Sequence, residues 1–233
     1  MKKRIAITGS TTGMGAALRE ELQATGHDII GLDIVPPREP VFPFVQVDLA
    51  SQSSIEQAAG SVGNIDALVH CAGIPDNDAP ADTVLAVNFL GLRALTDLVL
   101  PSLADGGTIV SISSIAGHRF RDRLDEYARL LQTTSIDEGL AWLRTAPEAI
   151  TGRAIYTVSK EAVWAYTMAL AAQLAPRRIR VNSVAPGLVD TRLVGAFLSN
   201  MTASGKTVLQ SASGGPIDPH EVTAVMRFLL SED

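Results

Sequence analysis

A chain of 233 residues, 46% hydrophobic and only 19% charged, has enough apolar material for one large core and excludes a disordered polymer. Its formal net charge of −6, with no basic block and no aromatic–basic stripe, leaves out nucleic acid as a partner. The single cysteine, Cys71, rules out an internal disulfide framework and fits a reducing cytoplasm.

The first residues, "MKKRIAITGS", are basic but lack the long apolar region of a secretory signal. Apolar stretches are broken by Gly, Asp or Arg short of the ~18–20 residues that a membrane span needs, so none is expected. His27, His70, His118 and His220 fall at no ligand spacing and have no partner cysteines, so no metal site is expected either.

"RIAIT" (4–8) reads as the first strand, followed by "TGSTTGMG" and a helix over Gly13 to Thr25. Three glycines between a strand and a helix make a backbone demand. Gly9 turns the chain out of the strand, Gly13 lets backbone approach a pyrophosphate, and Gly15 lets the helix pack on the sheet. The open N–H groups at the helix start are then a phosphate seat. "DIIGLD" (28–33) is the second strand and ends in Asp33. A carboxylate there accepts both adenine-ribose hydroxyls and repels a 2′-phosphate, favouring NAD over NADP, although a loop aspartate capping a turn looks the same in sequence.

After the loop "IVPPREP" come a strand over 41–47, a helix over Ser53 to Ser61 opened by a Ser cap, and a strand over 66–72. Asp48 follows the third strand, placed either to meet the adenine edge or to cap the helix. A long helix over Thr83 to Leu103, a strand over 107–113, a helix over Thr151 to Ala175, a strand over 178–185 and a last helix from Pro219 to Leu230 complete the pattern. Near-continuous Ile/Val/Ala runs indicate strands covered on both faces. Strand–helix alternation of this kind predicts one α/β domain over 1–233, a doubly wound parallel sheet (Rossmann fold) with helices on both faces.

Two segments exceed that minimum. Residues 118–153 form a helical insertion, with Phe120, Leu124, Tyr127 and Leu131 on one helix face and Ile136, Leu140 and Leu143 in a further turn or two. Residues 187–216 begin apolar (Leu188, Leu193, Val194, Phe197, Leu198, Met201) and dissolve into Ser/Gly/Thr, the composition of a lid, or equally of simple packing.

Tyr156 and Lys160, in "YTVSK", share one face of a predicted helix. A nearby ammonium lowers a phenol's pKa. Bringing it from ~10 to ~7 takes roughly 4 kcal/mol. An ordinary surface pair has the same spacing. Ser114 ends the fifth strand at the carboxyl edge where α/β folds place ligands, and alternation points one of Ser113 and Ser114 into the site. Asn88, in "VNFLG", is an amide in an apolar helix and needs backbone partners at a kink or an ordered water.

The motifs "TGSTTGMG", "CAG", "VNFLG", "ISS", "YTVSK" and "VAPGLVDT" stand in one order along nearly the whole chain, and together they resemble the short-chain dehydrogenase/reductase family. "GLDI", "LVHCAG" and the long gap from Ser114 to Tyr156 are similar to the bacterial 3α-hydroxysteroid dehydrogenase/carbonyl reductase group. The resemblance implies a catalytic tetrad of Asn88, Ser114, Tyr156 and Lys160. Tyr156 is then the general acid/base, Lys160 lowers its pKa and holds the nicotinamide ribose, Ser114 binds the reacting oxygen, and Asn88 fixes a water that relays protons through Lys160. It also implies NAD contacts from Gly9, Thr11, Thr12, Gly13, Met14 and Gly15, from Asp33, Asp48 and Leu49, from Cys71, Ala72 and Gly73, and from Pro186, Gly187, Val189 and Thr191.

Three departures stand out. Cys71 replaces the family's usual Asn and reads as a small packing residue, since no His or Lys motif activates it. The 118–153 insertion lies where many relatives pair helices into tetramers, so it blocks that interface, forms another or shapes the pocket. Relatives also continue past "LLSED" into a last strand, so either a terminal segment follows or the sheet lacks its edge strand. The expected protein is a cytoplasmic homodimer or homotetramer that interconverts a small-molecule alcohol and ketone, the substrate bulky and cyclic or steroid-like. The alternatives are a 3-oxoacyl-type reductase and a non-catalytic dinucleotide sensor.

Overall fold

A computed structural model of the chain describes residues 1–39, 41–77, 79–145, 150–200, 203, 207 and 214–232. Six strands, β1 (Arg4–Thr8), β2 (Asp28–Asp33), β3 (Phe44–Gln46), β4 (Ile65–His70), β5 (Leu103–Ile112) and β6 (Arg180–Val184), form one sheet in the order β3-β2-β1-β4-β5-β6. Every pairing is parallel. The strand order reverses between β1 and β4, which opens a crevice beyond their carboxyl ends.

The apolar runs form strands here because both faces of the sheet are covered. Ala6, Leu68, Ile109 and Val181 point into one core, with α2 (Gln52–Val62) and α7 (Ile155–Leu174). Ile5, Ile7, Ala67, Val69, Val110 and Ile112 point into the other, with α1 (Gly13–Ala24) and α9 (Pro219–Leu230). Successive residues of one strand thus serve opposite cores, the period of two that a pleated strand requires. Ser51 caps α2, and Asp218 with Glu221 forms a capping box on α9, each cap stabilising its helix by about 1 kcal/mol.

Several elements differ from expectation. The third strand is three residues long, because Pro43 cannot donate to a ladder and contributes only its carbonyl, to Gly31 N–H. The long helix begins at Ala81 and is interrupted. α3 (Ala81–Leu85) passes into a π turn (Ala86–Leu90) and then α4 (Gly91–Val99), with a 3₁₀ turn to Ser102. This stretch is longer and more apolar than the sequence reading allowed. Ala81–Ser102 is long and apolar enough to cross a membrane, yet 67% of its most apolar window is buried inside the protein, as in a core helix.

The insertion is helical, with α5 (Leu124–Leu131) and α6 (Ile136–Arg144), but its apolar face is turned from the expected one. Phe120 lies in a separate 3₁₀ turn, so the helical phase restarts after it. Phe120, Tyr127 and Leu130 are buried while Leu124 is 46% exposed. Residues 146–149 of the insertion lie outside the described residues. In the expected lid, α8 (Val194–Asn200) is present and a bridge joins Val189 to Ile217. Met201, the Phe197 side chain and most of 201–213 lie outside the described residues.

Candidate active site

The glycine turn follows β1 at the crevice. Gly9 has φ +66°, and a Cβ there would stand 2.7 Å from the Ala72 nitrogen. A Cβ on Gly15 would stand 2.1 Å from the Gly9 carbonyl oxygen, so only glycine lets α1 start this close to the turn. Gly13 opens α1, and its neighbour across the crevice is the Thr191 side chain, whose Cγ2 would meet an added Cβ at 3.4 Å. Thr12 sits at the N-cap without a side-chain cap bond, so the first turn of α1 presents backbone N–H groups. Buried Arg19 braces the turn by donating to the Ser10 carbonyl at 3.1 Å.

Asp33 ends β2 beside this turn, accepting at one oxygen from Thr11 N–H (3.0 Å) and Thr11 Oγ1 (2.7 Å). Asp48 accepts from Ala50 N–H at 2.8 Å, an Asx turn, while Ser51 takes the cap. Leu49 is buried, and its carbonyl is approached so closely by α4 that a Cβ on Gly91 would stand 2.0 Å from it. Met14 packs on the second core.

At the other side of the crevice, Tyr156 and Lys160 lie on α7 and Ser114 follows β5. The Ser114 hydroxyl lies near enough to the Tyr156 hydroxyl to pull the phenol's pKa down. Ser113, the alternate candidate, turns inward and donates to the Lys160 carbonyl at 2.9 Å, which leaves Ser114 as the serine facing Tyr156. Lys160 Nζ stands 5.6 Å from the centroid of the Tyr156 ring and donates to the Ile112 carbonyl at 2.9 Å. Burial brings the Lys160 amine down to about 8.

The expected lowering of Tyr156 toward neutrality is not found in this arrangement. Burial pushes the phenol up to about 12; the Ser114 hydroxyl pulls it down and the Asp76 carboxylate pushes it up. Lys160 is poorly placed to counter this, because burial disfavours its own charge and its amine is committed to Ile112.

Asn88 lies in the π turn, the kink that frees its amide from the helix pattern. Its partners are backbone and hydroxyl. Oδ1 accepts from Ile74 N–H at 2.8 Å, and Nδ2 donates to the Ile74 carbonyl at 2.9 Å and to Ser159 Oγ at 3.1 Å. The side chain is thus a clamp on the loop after β4, not a free water ligand. Cys71, Ala72 and Gly73 run along that loop. Burial pushes the Cys71 thiol up to about 12, which suits a packing residue. A Cβ on Gly73 would lie 3.5 Å from Lys160 Nζ, so the loop passes close beside the amine.

Pro186 accepts from Ile115 N–H at 3.1 Å, tying the segment after β6 to the one after Ser114. Gly187 follows, Val189 is buried, and Thr191 accepts from Leu193 N–H at 3.3 Å while facing Gly13. Two hollows of about 410 and 460 Å³, lined among others by Lys3, Leu22 and Leu230 and by Arg4, Asp66 and Leu103, open at the amino ends of the strands, away from these residues.

Sequence reading missed two groups. Asp76 accepts from Tyr156 N–H at 2.5 Å across 80 positions, which no local pattern announces. Glu161, next to Lys160, is fully buried and meets Arg123, Arg153 and Tyr127. Its signal was a carboxylate flanked by Ala162 and Val163 on a helix of apolar character.

Residues 3–128 match the family described as short chain dehydrogenase, and residues 143–233 the one described as Enoyl-(Acyl carrier protein) reductase. Coniferyl-alcohol dehydrogenase of Pseudomonas sp. (strain HR199 / DSM 7063) is 32% identical over 233 residues, 99% of this chain and 90% of that protein. The 3-alpha-hydroxysteroid dehydrogenase/carbonyl reductase of Comamonas testosteroni is 31% identical, covering 97% and 89%. The crystal structure of the 3-alpha-hydroxysteroid dehydrogenase from Pseudomonas sp. B-0831 complexed with NADH superposes with a TM-score of 0.78 at 30% identity, covering 98% of this chain and 90% of that one.

Proposed function

This chain belongs to the short-chain dehydrogenase/reductase family of oxidoreductases acting on alcohols and ketones, and from that premise we propose that it uses NAD to interconvert a secondary alcohol and a ketone, with Tyr156 as general acid/base. The observation that carries this reading is the hydroxyl pair of Ser114 and Tyr156 with Lys160 5.6 Å from the ring, at the same sheet edge as the glycine turn.

The residues present fit a nicotinamide dinucleotide. The uncapped start of α1 would hold its phosphates, Asp33 its adenosine ribose and Lys160, beside the Gly73 loop, the second ribose. When bound, that cofactor supplies the hydride acceptor or donor and, oxidised, a positive ring charge. Ser114 holds the reacting oxygen beside the Tyr156 hydroxyl. Tyr156 takes the alcohol proton in oxidation and returns it in reduction. Lys160, at about 8, exchanges protons near neutrality. Asn88 keeps the loop carrying Gly73 against α7.

Asp33 supports NAD over NADP, since a 2′-phosphate would meet a carboxylate already bound to Thr11. The apolar Leu188, Leu193 and Val194 after β6 support a bulky cyclic or steroid-like substrate, consistent with the names of the two curated relatives. A 3-oxoacyl-type reductase is the second reading, favoured by the description of the family matched over 143–233. The proposal includes a cytoplasmic homodimer or homotetramer, for which exposed Leu98 on α4 and Met168 on α7 offer apolar contacts.

The test is reduction of NAD and of NADP by a panel of cyclic secondary alcohols, with 3-hydroxyacyl thioesters alongside. Turnover of cyclic alcohols with NAD supports the proposal. Turnover confined to thioesters with NADP supports the second reading. Cofactor binding without turnover on any substrate would make the protein a sensor.

A further inference from the structure

Resting on the reading of Tyr156 as acid/base, we propose that Asp76 is a positioning residue that caps α7 at Tyr156 and thereby fixes where the phenol meets Ser114. α7 lacks a cap of its own, because Ala154 at its N-cap has no side chain to offer. The loop after β4 supplies one, Asp76 Oδ1 accepting Tyr156 N–H at 2.5 Å. A carboxylate is the favoured group at that end of a helix dipole.

The cap is one link of a closed ring. Ser159 Oγ donates to the Tyr156 carbonyl at 2.7 Å, Asn88 Nδ2 donates to Ser159 Oγ, and the Asn88 amide grips both the N–H and the C=O of Ile74, two residues before Asp76. Both backbone polar groups of Tyr156 are therefore held, one through Asp76 and the other through Asn88 and Ser159. The ring sets where the phenol meets Ser114.

The charge adds a second effect. Among the described residues, the titratable groups set against the phenol are Lys160 from its own helix and Asp76 from the loop after β4, with Cys71 beside Lys160. Elsewhere on α7 Glu161 is paired with Arg123 and Arg153, and His118, beyond Ser114, bonds the Ile115 carbonyl. Burial is the main reason the phenol stays protonated; the Asp76 carboxylate adds to it, and buried Lys160, its own charge weakened, offsets it little. A phenol kept protonated is ready to donate to a ketone.

Asp76→Asn keeps an acceptor for Tyr156 N–H and removes the charge, whereas Asp76→Ala removes both. The chain has only three tyrosines, so ultraviolet titration of each variant against its Tyr156→Phe counterpart isolates this phenol without any turnover. In Asp76→Asn we expect the phenol to ionise roughly half to one pH unit lower, with the alkaline limb of ketone reduction moving the same way. In Asp76→Ala we expect a further loss of kcat of about tenfold at little change in KM, as the helix start loosens. An Asp76→Ala protein that folds and keeps the wild-type kcat overturns the inference; where it does not fold, an Asp76→Asn protein whose phenol titrates with the wild type does so. If Tyr156→Phe keeps full turnover, the catalytic reading fails instead, and the titration still decides what Asp76 does to the phenol.

Discussion

Asp33 and Gly15 are the residues on which the proposed cofactor preference and the glycine turn rest. The Asp33 carboxylate has one oxygen bound to Thr11, so a 2′-phosphate arriving beside it meets negative charge with little room to pair. We predict a several-hundred-fold preference for NAD(H) over NADP(H), on the order of 3–4 kcal/mol. Asp33→Asn should shrink that ratio at least tenfold; equal kcat/KM for both cofactors in the wild type would show that Asp33 does not select. Gly15→Ala would place a methyl 2.1 Å from the Gly9 carbonyl, which must move. Its expected effect is about 2 kcal/mol of lost stability together with weakened dinucleotide binding, read by thermal unfolding with and without NADH. Unchanged melting and affinity would mean that the close approach is not required.

At the scale of elements, Glu161 joins the insertion to the catalytic helix. Arg123 precedes α5, Tyr127 lies on α5, Arg153 precedes α7, and all three converge on the one carboxylate, with bonds of 2.7 Å from Arg123 and 2.5 Å from Arg153. Burial alone would push the Glu161 carboxyl up, but hydrogen bonds from Arg153, Arg123 and Tyr127 hold it down at about 2. The folded value thus lies below the ordinary 4.5, so the stabilisation is complete above pH 4.5 and is lost as pH falls toward 2. Glu161→Gln leaves two guanidinium groups facing each other and should cost about 3 kcal/mol at pH 7. It should also flatten the dependence of stability on pH between those limits. Denaturant melts at pH 7 and pH 3 check both; an equal loss at the two pH values would assign Glu161 a packing role only. Gly139 completes the brace, lying against the Leu90 side chain of the π turn with no room for a Cβ.

Over the whole molecule, what was legible in the chain was whatever depends on short-range period. The central strands could be read because a parallel strand covered on both faces runs largely apolar, and the glycine turn because its spacing answers a backbone demand. The site serine was narrowed to Ser113 or Ser114 by alternation, and only the Lys160 carbonyl told them apart. The π turn was hidden because "AVNFLGLRALTDLVL" keeps an apolar helical pattern through it. The phase of α5 was misjudged because a 3₁₀ turn of four residues resets it. Asp76 and Glu161 were illegible for a common reason. A carboxylate in a loop or on a helix looks solvated until distant chain, 80 positions away for Asp76 and 38 for Arg123, supplies its partner.

The most direct test of the whole scheme is the rate of NADH formation from a cyclic secondary alcohol, measured at saturating NAD for the wild type and for Tyr156→Phe. Removing one hydroxyl from a half-buried ring should leave NADH affinity within about twofold and lower kcat by about 10³-fold, the scale of a lost general acid/base. A variant that binds NADH equally well and turns over at the wild-type rate would contradict the assignment of the proton to Tyr156.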